Sequence, residues 1–255
     1  AGDARRMGKL LKRALATSLS ALQEGGIENP DAIITGTGFG SIENTELFLD
    51  ALVREGEQLL KPTQFMQSTH NTASSLIGIH TKCHGYNSTY SQKGFSFDSA
   101  LYDAWMQFRI GRIASALVGS HDEMPPVFSG FVRKAGHVKE GEICSEAAVS
   151  VLMAESGDNA YCTLDGVKLF DSPSQDTLKQ VLADMTAGGI DAVMTGMSLS
   201  LPYTLSIRAF STLSILPQSG RIACILLSLP PFAEPPAESP STMKISVSLL
   251  SRDWQ

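Results

Sequence analysis

One stretch of the chain, residues 84–123, constrains the fold more than any other. It reads HGYNSTYSQKGFSFDSALYDAWMQFRIGRIASALVGSHDE, which predicts a strand, a tight turn, an amphipathic helix over about residues 95–111 and a buried strand that ends in small residues. The turn before the helix contains Gln92, Lys93 and Gly94. A helix N-terminus carries unpaired N–H groups and about half a positive charge, so a thiol there ionises readily and an oxyanion is stabilised. The pattern is therefore typical of a nucleophile site for acyl transfer, although ordinary packing of strands and helices would produce it as well.

Other segments repeat this alternation of strands and helices. "DAIITG" (31–36) and "IDAVMTG" (190–196) are short apolar runs that end in glycine, as buried strands often do. Helical spacing of apolar residues predicts helices near 43–57 and 72–83. "EAAVSVLMAE" and "AYCTLDGVKLF" are predicted to be two neighbouring antiparallel strands. Together these elements predict an α/β fold in which helices lie on both sides of a mixed, mostly parallel sheet.

Composition excludes several classes of function. The chain has 20 Lys and Arg against 26 Asp and Glu, and its formal net charge is −6. Basic residues cluster only near the start, so nucleic acid is not expected as a partner. No apolar run reaches the roughly 18–20 residues that a membrane span needs, and the first residues do not resemble a signal peptide. The four cysteines are far apart and follow no metal-ligand spacing. We therefore expect a cytoplasmic protein with reduced thiols, no membrane span, no metal site and no cofactor.

The composition changes after about residue 197. Residues 198–255 contain 12 Ser, 10 Leu and 7 Pro, which make up half of the segment, and they show neither a helical period nor clean strand alternation. Two interpretations are open: a Pro-rich tail or linker, and a segment read out of frame after about Met197. We expect residues 1–197 to form one domain and residues 198–255 to be an unstructured or out-of-frame tail rich in Ser, Leu and Pro.

Two smaller motifs allow both a functional and a structural interpretation. The turn "GTGFGS" has glycines at positions 36, 38 and 40, a G-x-G-x-G spacing that differs from the G-x-G-x-x-G of dinucleotide-binding folds. This spacing favours a tight turn in which backbone approaches backbone. His70, in "QSTHNTAS", opens a helix, where it could face a pocket or hydrogen-bond the backbone.

Five segments resemble the β-ketoacyl synthases of the thiolase-like superfamily, and they occur along the chain in the same order as in that family. "FRIGRIASALVGSHDE" is similar to the segment that follows the nucleophilic helix in those enzymes, with Gly111, Gly119 and Glu123 in register. "DAIITGTGFGS", the stretch 62–91, "EICSEAAVSVLMAE" and "GGIDAVMTG" resemble the strands and turns around it. The resemblance covers residues 3–197 and points to the branch of aryl-polyene cluster synthase-like proteins and chain-length factors. It implies the N-terminal half of a thiolase-like fold, with an incomplete second half.

The resemblance also implies that the residues for condensation chemistry are missing. Those enzymes use a cysteine and two histidines. Here the nucleophile position falls on Gly94, or on Gln92 if the register shifts by two residues. The first histidine position falls on Thr195 or Gly196, and the sequence has no histidine after His137 to serve as the second. Claisen condensation needs a covalent acyl-enzyme and donors that polarise the malonyl thioester. The chain is therefore expected to be inactive in condensation.

The family further implies a partner and an acyl tunnel. In these proteins the strand before the nucleophile pairs with its twin across a two-fold axis, and the corresponding residues here are Asn87, Thr89 and Ser91. Residues beside the turn or facing a pocket are candidates for lining the tunnel: Phe95, Phe97, His70 and Asn71. For the two phenylalanines, plain core packing is the alternative. The implied partners are an active β-ketoacyl synthase subunit or a second copy of this chain, and an acyl carrier protein.

Three functional hypotheses follow from these observations. The leading one is a non-catalytic subunit of the chain-length-factor type in fatty-acid- or polyketide-type biosynthesis, such as aryl-polyene synthesis. The second is a residual enzyme activity, either malonyl decarboxylation assisted by Gln92 or a thioester acyltransferase or hydrolase activity. The third is a truncated gene product without a function.

Overall fold

The computed structural model describes residues 7–136, 138, 144–155, 160–170, 175–187, 192–196, 220–227 and 243–249. The helices in these ranges are α1 (Lys9–Gly25), α2 (Ile42–Glu55), α3 (Pro62–Ser68), α4 (Thr72–Thr81), α5 (Ser96–Arg109), α6 (Pro126–Lys134) and α7 (Gln175–Ala187). The strands are β1 (Ala32–Gly36), β2 (Tyr86–Tyr90), β3 (Ser115–Asp122), β4 (Ala147–Ala154), β5 (Cys162–Phe170), β6 (Ala192–Gly196), β7 (Gly220–Leu227) and β8 (Met243–Leu249).

The described strands form one mixed sheet in the order β2-β1-β3-β4-β8-β5-β7-β6. β1 is parallel to both of its neighbours, β2 and β3, and β7 is parallel to β5 and β6. β4 is antiparallel to β3 and β8, and β8 is antiparallel to β5. All five residues of β1 are buried, because this strand has a neighbour on each side and helices on both faces.

One face of the sheet is covered by α1 and α4. Their apolar side chains meet those of the central strands in a core cluster of Leu11, Ala14, Ala21, Leu22, Ile33, Ala73, Ile77, Leu117 and Leu152. α1 ends at Gly25 because Gly26 adopts a φ of 69°, its N–H donates to the carbonyl of Gln23, and the N–H of Ile27 donates to the carbonyl of Leu22. Burial of apolar surface at about 25 cal/mol per Å² is the main term that holds these helices on the sheet.

The opposite face is covered by α5. Its apolar residues Phe97, Leu101, Ala104 and Phe108 recur at helical spacing, and each is less than 5% exposed. They belong to a second core cluster, whose strand residues include Ala32, Ile34, Ala116, Val118, Val149 and Val151. In β1, alternate side chains therefore point to the two clusters, which is the period-two pattern of a strand buried on both faces.

The predicted α/β architecture, with helices on both sides of a mixed sheet, is confirmed. The helices predicted near 43–57, 72–83 and 95–111 correspond to α2, α4 and α5, with ends within two residues. Two short helices, α3 and α6, carry no clear sequence pattern. Each begins at a proline, which is tolerated in the first helical turn because the N–H that it lacks has no partner there.

The prediction that β4 and β5 are neighbours was wrong. β8 lies between them and is antiparallel to both. Consecutive strands usually pair, but here a strand from residues 243–249 takes that place. β7 and β8 are the only parts of residues 198–255 that the structure describes, and Met197 lies outside the described residues. The expectation of an unstructured or out-of-frame tail therefore stays a prediction.

The described part of the chain contains no helix that is both long and apolar enough to cross a membrane. Nor do its His, Cys, Asp and Glu side chains form a group of three that could hold a metal ion. Cys83, Cys144 and Cys162 are free thiols. Burial raises the pKa of the Cys162 thiol to about 11, so this residue acts as an apolar core residue and not as a nucleophile.

Candidate functional site

The glycine-rich turn after β1 is closed by a carboxylate of this chain. Asp122, the last residue of β3, accepts hydrogen bonds from the N–H groups of Gly38 at 2.9 Å and Phe39 at 3.0 Å, and from the Thr37 hydroxyl at 2.7 Å. Burial raises the pKa of Asp122, and these donors act in the opposite direction. The N–H groups that would bind a phosphate in a dinucleotide fold are thus occupied by Asp122. The interpretation of this motif as a tight turn is confirmed.

The next residue, Glu123, holds the N-terminus of α2. Its Oε1 accepts a hydrogen bond from the N–H of Glu43 at 2.8 Å and lies 3.5 Å from the Ser41 hydroxyl. Burial raises the pKa of Glu123, while the Glu43 N–H lowers it. A carboxylate is favoured at this position because the first N–H groups of a helix have no partner within the helix. Asp122 and Glu123 together anchor the glycine-rich turn and α2 to the end of β3.

The turn formed by residues 92–94 packs directly on the end of β1. A Cβ on Gly36 would lie 2.3 Å from the carbonyl carbon of Ser96, so only glycine lets α5 begin so close to the strand. The Ser96 hydroxyl lies 2.8 Å from the carbonyl oxygen of Thr37 and accepts a hydrogen bond from the N–H of Gln92 at 2.8 Å. Ser96 therefore ties the end of β1, the 92–94 turn and α5 together.

Lys93 and Gly94 lie in a single 3-10 turn, Lys93–Phe95, that leads into α5. Lys93 has a φ of 55°, a left-handed conformation that costs an L residue about 1–2 kcal/mol. Its carbonyl oxygen lies 2.7 Å from the Ser96 hydroxyl, which helps to hold it there. Gly94 is not among the described glycines with a positive φ. The backbone therefore does not require glycine at the position that the resemblance assigns to the nucleophile.

Gln92 is exposed at the start of this turn. Its Oε1 accepts a hydrogen bond from the hydroxyl of Ser99, one turn into α5, and its amide N–H groups remain as donors. An amide N–H can polarise a thioester carbonyl, but it cannot form an acyl-enzyme. The geometry at Gln92 therefore permits hydrogen bonding to a thioester and excludes covalent catalysis by this residue.

Asp98 is a buried carboxyl in the first turn of α5. The residue is only 3% exposed, and burial raises its pKa to about 7. Both protonation states are therefore populated near neutral pH. A titratable group with such a perturbed pKa, four residues along the chain from Gly94, is a candidate for chemistry at this end of α5.

β2 is an edge strand whose two faces make different contacts. On one face the Thr89 hydroxyl lies 3.1 Å from that of Thr35 on β1 and 2.7 Å from that of Ser74 on α4. On the other face Tyr86 donates a hydrogen bond to the Asp103 carboxylate on α5 at 3.0 Å. Burial raises the pKa of Tyr86. These contacts fix the strand that leads into the 92–94 turn from both sides.

The residues predicted to pair with a second subunit lie at this edge. Asn87 and Thr89 belong to β2, and Ser91 follows directly. Asn87 and Ser91 are exposed, although the Asn87 amide also donates a hydrogen bond to the carbonyl of Ser74 at 3.1 Å. Among the described strands, β2 pairs only with β1. Its other backbone edge is available to a further strand, and pairing with a twin stays a prediction.

The four predicted tunnel residues lie on two sides of β1. Phe97 is 1% exposed in the core cluster on the α5 face, and Phe95 is half-buried in the turn. His70 and Asn71 are exposed at the start of α4, on the opposite face. The His70 ring lies against Gly40, where a Cβ would approach it to 3.1 Å. The burial of Phe97 favours the core alternative for this residue, and the tunnel stays a prediction.

Thr195 and Gly196, the positions assigned to the first histidine, are the last residues of β6. β6 and β2 form opposite edges of the sheet. With strands spaced about 4.8 Å apart, the seven steps between these edges amount to about 34 Å along the sheet. The structure therefore does not bring Thr195 or Gly196 close to Gly94.

Two residues at this site were not anticipated from the sequence. Asp122 had a usable signal, because a carboxylate directly after a buried strand lies beside the turn that leaves its parallel neighbour. Asp98 had none, since an acidic residue in the first turn of a helix is ordinarily an exposed residue that interacts with the helix dipole. Its burial depends on how α5 packs on the sheet, which is not a local property of the sequence.

Comparisons with known proteins identify the fold. Solved structures with similar folds include a ketosynthase (ApeO) in complex with its chain length factor (ApeC) from Xenorhabdus doucetiae, with 22% identity, a TM-score of 0.50 and coverage of 73% of each chain. The ishigamide ketosynthase/chain length factor has 19% identity and a TM-score of 0.57, with 82% of this chain and 63% of that chain covered. A β-ketoacyl synthase from Burkholderia phymatum STM815 has 14% identity and a TM-score of 0.57, with 86% of this chain and 64% of that chain covered.

At these identities the solved structures show the fold alone. This chain spans less than two thirds of the length of the ishigamide and Burkholderia phymatum proteins. No curated protein sequence matches the chain. Residues 3–197 match the family described as Beta-ketoacyl synthase, N-terminal domain. This match covers most of the sequence and includes β1, β2, α5 and β3, the elements that build the 92–94 turn and its supports. The chain therefore belongs to the β-ketoacyl synthase family, which it matches through the N-terminal domain.

Proposed function

We propose that this protein is a non-catalytic β-ketoacyl-synthase-like subunit of the chain-length-factor type, which acts with an active synthase in polyketide- or fatty-acid-type chain building, such as aryl-polyene synthesis. The observation that carries the proposal is the glycine at position 94. A buried serine, a carboxylate-closed glycine turn and a helix N-terminus hold this turn in place. Gly94 has no side chain that could accept an acyl group.

The chemistry of condensation explains why this substitution decides the role. A synthase first transfers an acyl group to its nucleophile and then attacks that thioester with the carbanion formed from malonyl thioester. Gln92, the alternative nucleophile position, carries an amide that does not acylate. Thr195 and Gly196 lie at the far edge of the sheet and carry no imidazole. Neither the covalent step nor the polarisation of malonyl thioester has a candidate residue at these positions.

The proposed partner is a synthase subunit that carries the cysteine. Two of the similar solved structures are of a ketosynthase together with a chain length factor. In this chain, the free edge of β2 with exposed Asn87 and Ser91 offers backbone N–H and carbonyl groups to a second strand. A self-pair of this chain is the competing assembly, and acyl carrier protein is the proposed source of the thioesters.

The first experiment tests catalysis and partnership together. The purified chain is incubated with acyl and malonyl thioesters of acyl carrier protein, alone and with a co-expressed cysteine-bearing synthase, and condensation products are measured by mass spectrometry. We expect no product from the chain alone, co-purification of the pair, and product from the pair. Condensation by the chain alone would refute the proposal.

A pair of variants tests which position is the nucleophile site. A thiol at the N-terminus of α5 has a lowered pKa, so Gly94→Cys is expected to react with iodoacetamide at least ten-fold faster than the free thiol of Cys83. Gln92→Cys is the matched control for the shifted register. If Gln92→Cys reacts fast and Gly94→Cys does not, the assignment of the nucleophile position to Gly94 is wrong.

A second candidate function rests on the geometry of Gln92. Its carbonyl oxygen is bound by Ser99, which leaves the amide N–H groups available to a thioester oxygen. Loss of CO₂ from a malonyl thioester produces an enolate, which such donors stabilise until a proton from water completes the acetyl thioester. Gln92→Ala is expected to reduce CO₂ release at least ten-fold, and Gln58→Ala, at an exposed glutamine, is the control. Equal release from both variants would exclude this activity for Gln92.

A further inference from the structure

A row of small and polar residues crosses the sheet on the face that α1 and α4 cover. The strand registers align Thr89 of β2 with Thr35 of β1, Thr35 with Gly119 of β3, and Gly119 with Ser150 of β4. The residues two positions earlier on β1 and β3, Ile33 and Leu117, belong to the apolar core cluster of the same face. The row is therefore a polar band beside an apolar core, close to where β1 and β2 end.

Both ends of this row are fully hydrogen-bonded. At one end the hydroxyl of Thr89 lies 3.1 Å from that of Thr35 and 2.7 Å from that of Ser74. At the other end the hydroxyl of Ser150 lies 3.0 Å from each of the hydroxyls of Thr17 and Ser18 on α1. Buried polar groups need such partners, because an unpaired one costs about 1–3 kcal/mol.

The middle of the row is occupied by an imidazole. His121 is 1% exposed, and its ring lies over Gly119, where a Cβ would approach the ring's Cε1 to 2.4 Å. Its Nε2 lies 3.3 Å from Oγ of Ser150. Its Nδ1 is buried and has no hydrogen-bond partner within the described part of the chain. His121 therefore joins the Ser150 end of the row through Nε2 and leaves its Nδ1 without a partner among the described residues.

A small cavity lies at this point. Its wall is partly apolar, with Leu10, Leu11 and Ala73, and partly polar, with His121 and the hydroxyl-bearing residues Thr35, Thr37 and Ser41, and its volume is about 10 Å³. That is about the space that one water molecule needs, and the hydroxyls and the imidazole on the polar part of the wall are the kind of partner that a buried water requires. The Thr37 hydroxyl is already bound to Asp122 and to the N–H of Gly40, so the Thr35 hydroxyl is the better partner.

We propose that this cavity is a binding site for one structural water molecule, which bridges Nδ1 of His121 and the hydroxyl of Thr35 and completes the row from Ser74 to Ser18. Burial lowers the pKa of His121 to about 4, so the ring is neutral and each nitrogen is either a donor or an acceptor. Water can serve either tautomer, since it donates and accepts.

The site has a structural consequence for the 92–94 turn. Thr35 and Thr89 are the penultimate residues of β1 and β2. The glycine-rich turn and the 92–94 turn begin immediately beyond them. A bridged row would lock these two strands to β3 and β4 at that level. This inference does not depend on the proposed function, because it requires only the folded chain.

The test is a crystal structure of the chain in which ordered waters are resolved. We expect one water about 2.7–3.2 Å from Nδ1 of His121 and from the Thr35 hydroxyl. A dry cavity, or a direct protein partner on Nδ1, would overturn the proposal. Long-range ¹H–¹⁵N spectra provide a second measurement in solution: we expect the His121 ring to stay neutral at pH 6, with a cross-peak to a long-lived water.

Two variants separate the bridge from mere packing. Thr35→Ser keeps the hydroxyl and is expected to retain the water, whereas Thr35→Val keeps the shape and is expected to lose it. Loss of the water in the valine variant should also shift the Nδ1 resonance of His121, and the serine variant should not. A water that persists unchanged in Thr35→Val would overturn the assignment of Thr35 as its partner.

Discussion

Replacing Asp98 by asparagine is expected to make the folded chain more stable at alkaline pH and to leave it nearly unchanged in acid. Asp98 lies in the first turn of α5 and is 3% exposed. Burial disfavours its charged form, which raises its pKa to about 7 from 3.8. Asparagine has the same shape and cannot ionise, so the variant removes the titration and little else.

The magnitude follows from this difference in pKa between the folded and unfolded states. A shift of about 3 pKa units corresponds to about 4 kcal/mol. Because the folded pKa is the higher one, the folded state holds the proton more tightly. The protonated Asp98 carboxyl contributes this stability to the folded state in full below pH 3.8, and the contribution is lost as the pH rises through about 7. The positive end of α5 favours the charged form by about 1 kcal/mol. The expected pH-dependent change in the free energy of unfolding is therefore about 3 kcal/mol.

The assay is urea unfolding of the parent chain and of Asp98→Asn at pH 4.5, 6 and 8, followed by tryptophan fluorescence. The difference in the free energy of unfolding between the two proteins is expected to grow by about 3 kcal/mol over this range, with unchanged m-values. Asp176→Asn is the matched control, because Asp176 also lies in the first helical turn, of α7, but its side chain is 95% exposed. A pH-independent difference for Asp98→Asn would refute the reasoning that this carboxyl is desolvated.

Three further changes test other parts of the structure. Burial lowers the pKa of His121 to about 4 from 6.5, so the unfolding free energy should fall by about 3 kcal/mol as the pH drops from 6.5 towards 4; urea titrations should show no such slope in His121→Phe. Gly36→Ala forces a contact with the backbone of α5 and should cost about 1–3 kcal/mol in urea unfolding, whereas Gly130→Ala, in open space on a helix, should add up to about 1 kcal/mol. Ser150→Ala removes three hydrogen-bond contacts and should lower the thermal midpoint by several degrees, corresponding to about 2 kcal/mol.

The parts of the fold that were predictable are those with a local signal. The strand, turn and helix of residues 84–111 follow from the spacing of apolar residues and from the glycine at each end. The glycine-rich turn was predictable because Gly36, Gly38 and Gly40 follow one another at every second position from the end of an apolar run. In each case the determinant lies within a few residues of the feature that it explains.

Features that depend on distant segments were not predictable. The insertion of β8 between β4 and β5 joins residues about 80–100 positions apart in the chain, and no local pattern encodes such a pairing. The burial of Asp98 and of His121 likewise depends on tertiary packing against other elements. The polar row across β1 to β4 became visible only through the strand registers, since its members are single Thr, Gly and Ser residues without a motif.

Under the proposed function the 92–94 turn carries no nucleophile, and its structure then has a physical explanation that does not require catalysis. Ser96 ties the turn to the end of β1, Asp122 closes the neighbouring glycine turn, and the polar row fixes β2 to β1 through Thr89 and Thr35. All of these contacts also hold β2, the edge strand that is proposed to meet a second subunit. Glycine in place of a nucleophilic cysteine at position 94 would remove the acyl-transfer chemistry and leave the edge of β2 intact. Under the proposed function, the turn is therefore retained because it supports the strand before it, and the serine at position 96 matters more to this chain than any side chain at position 94.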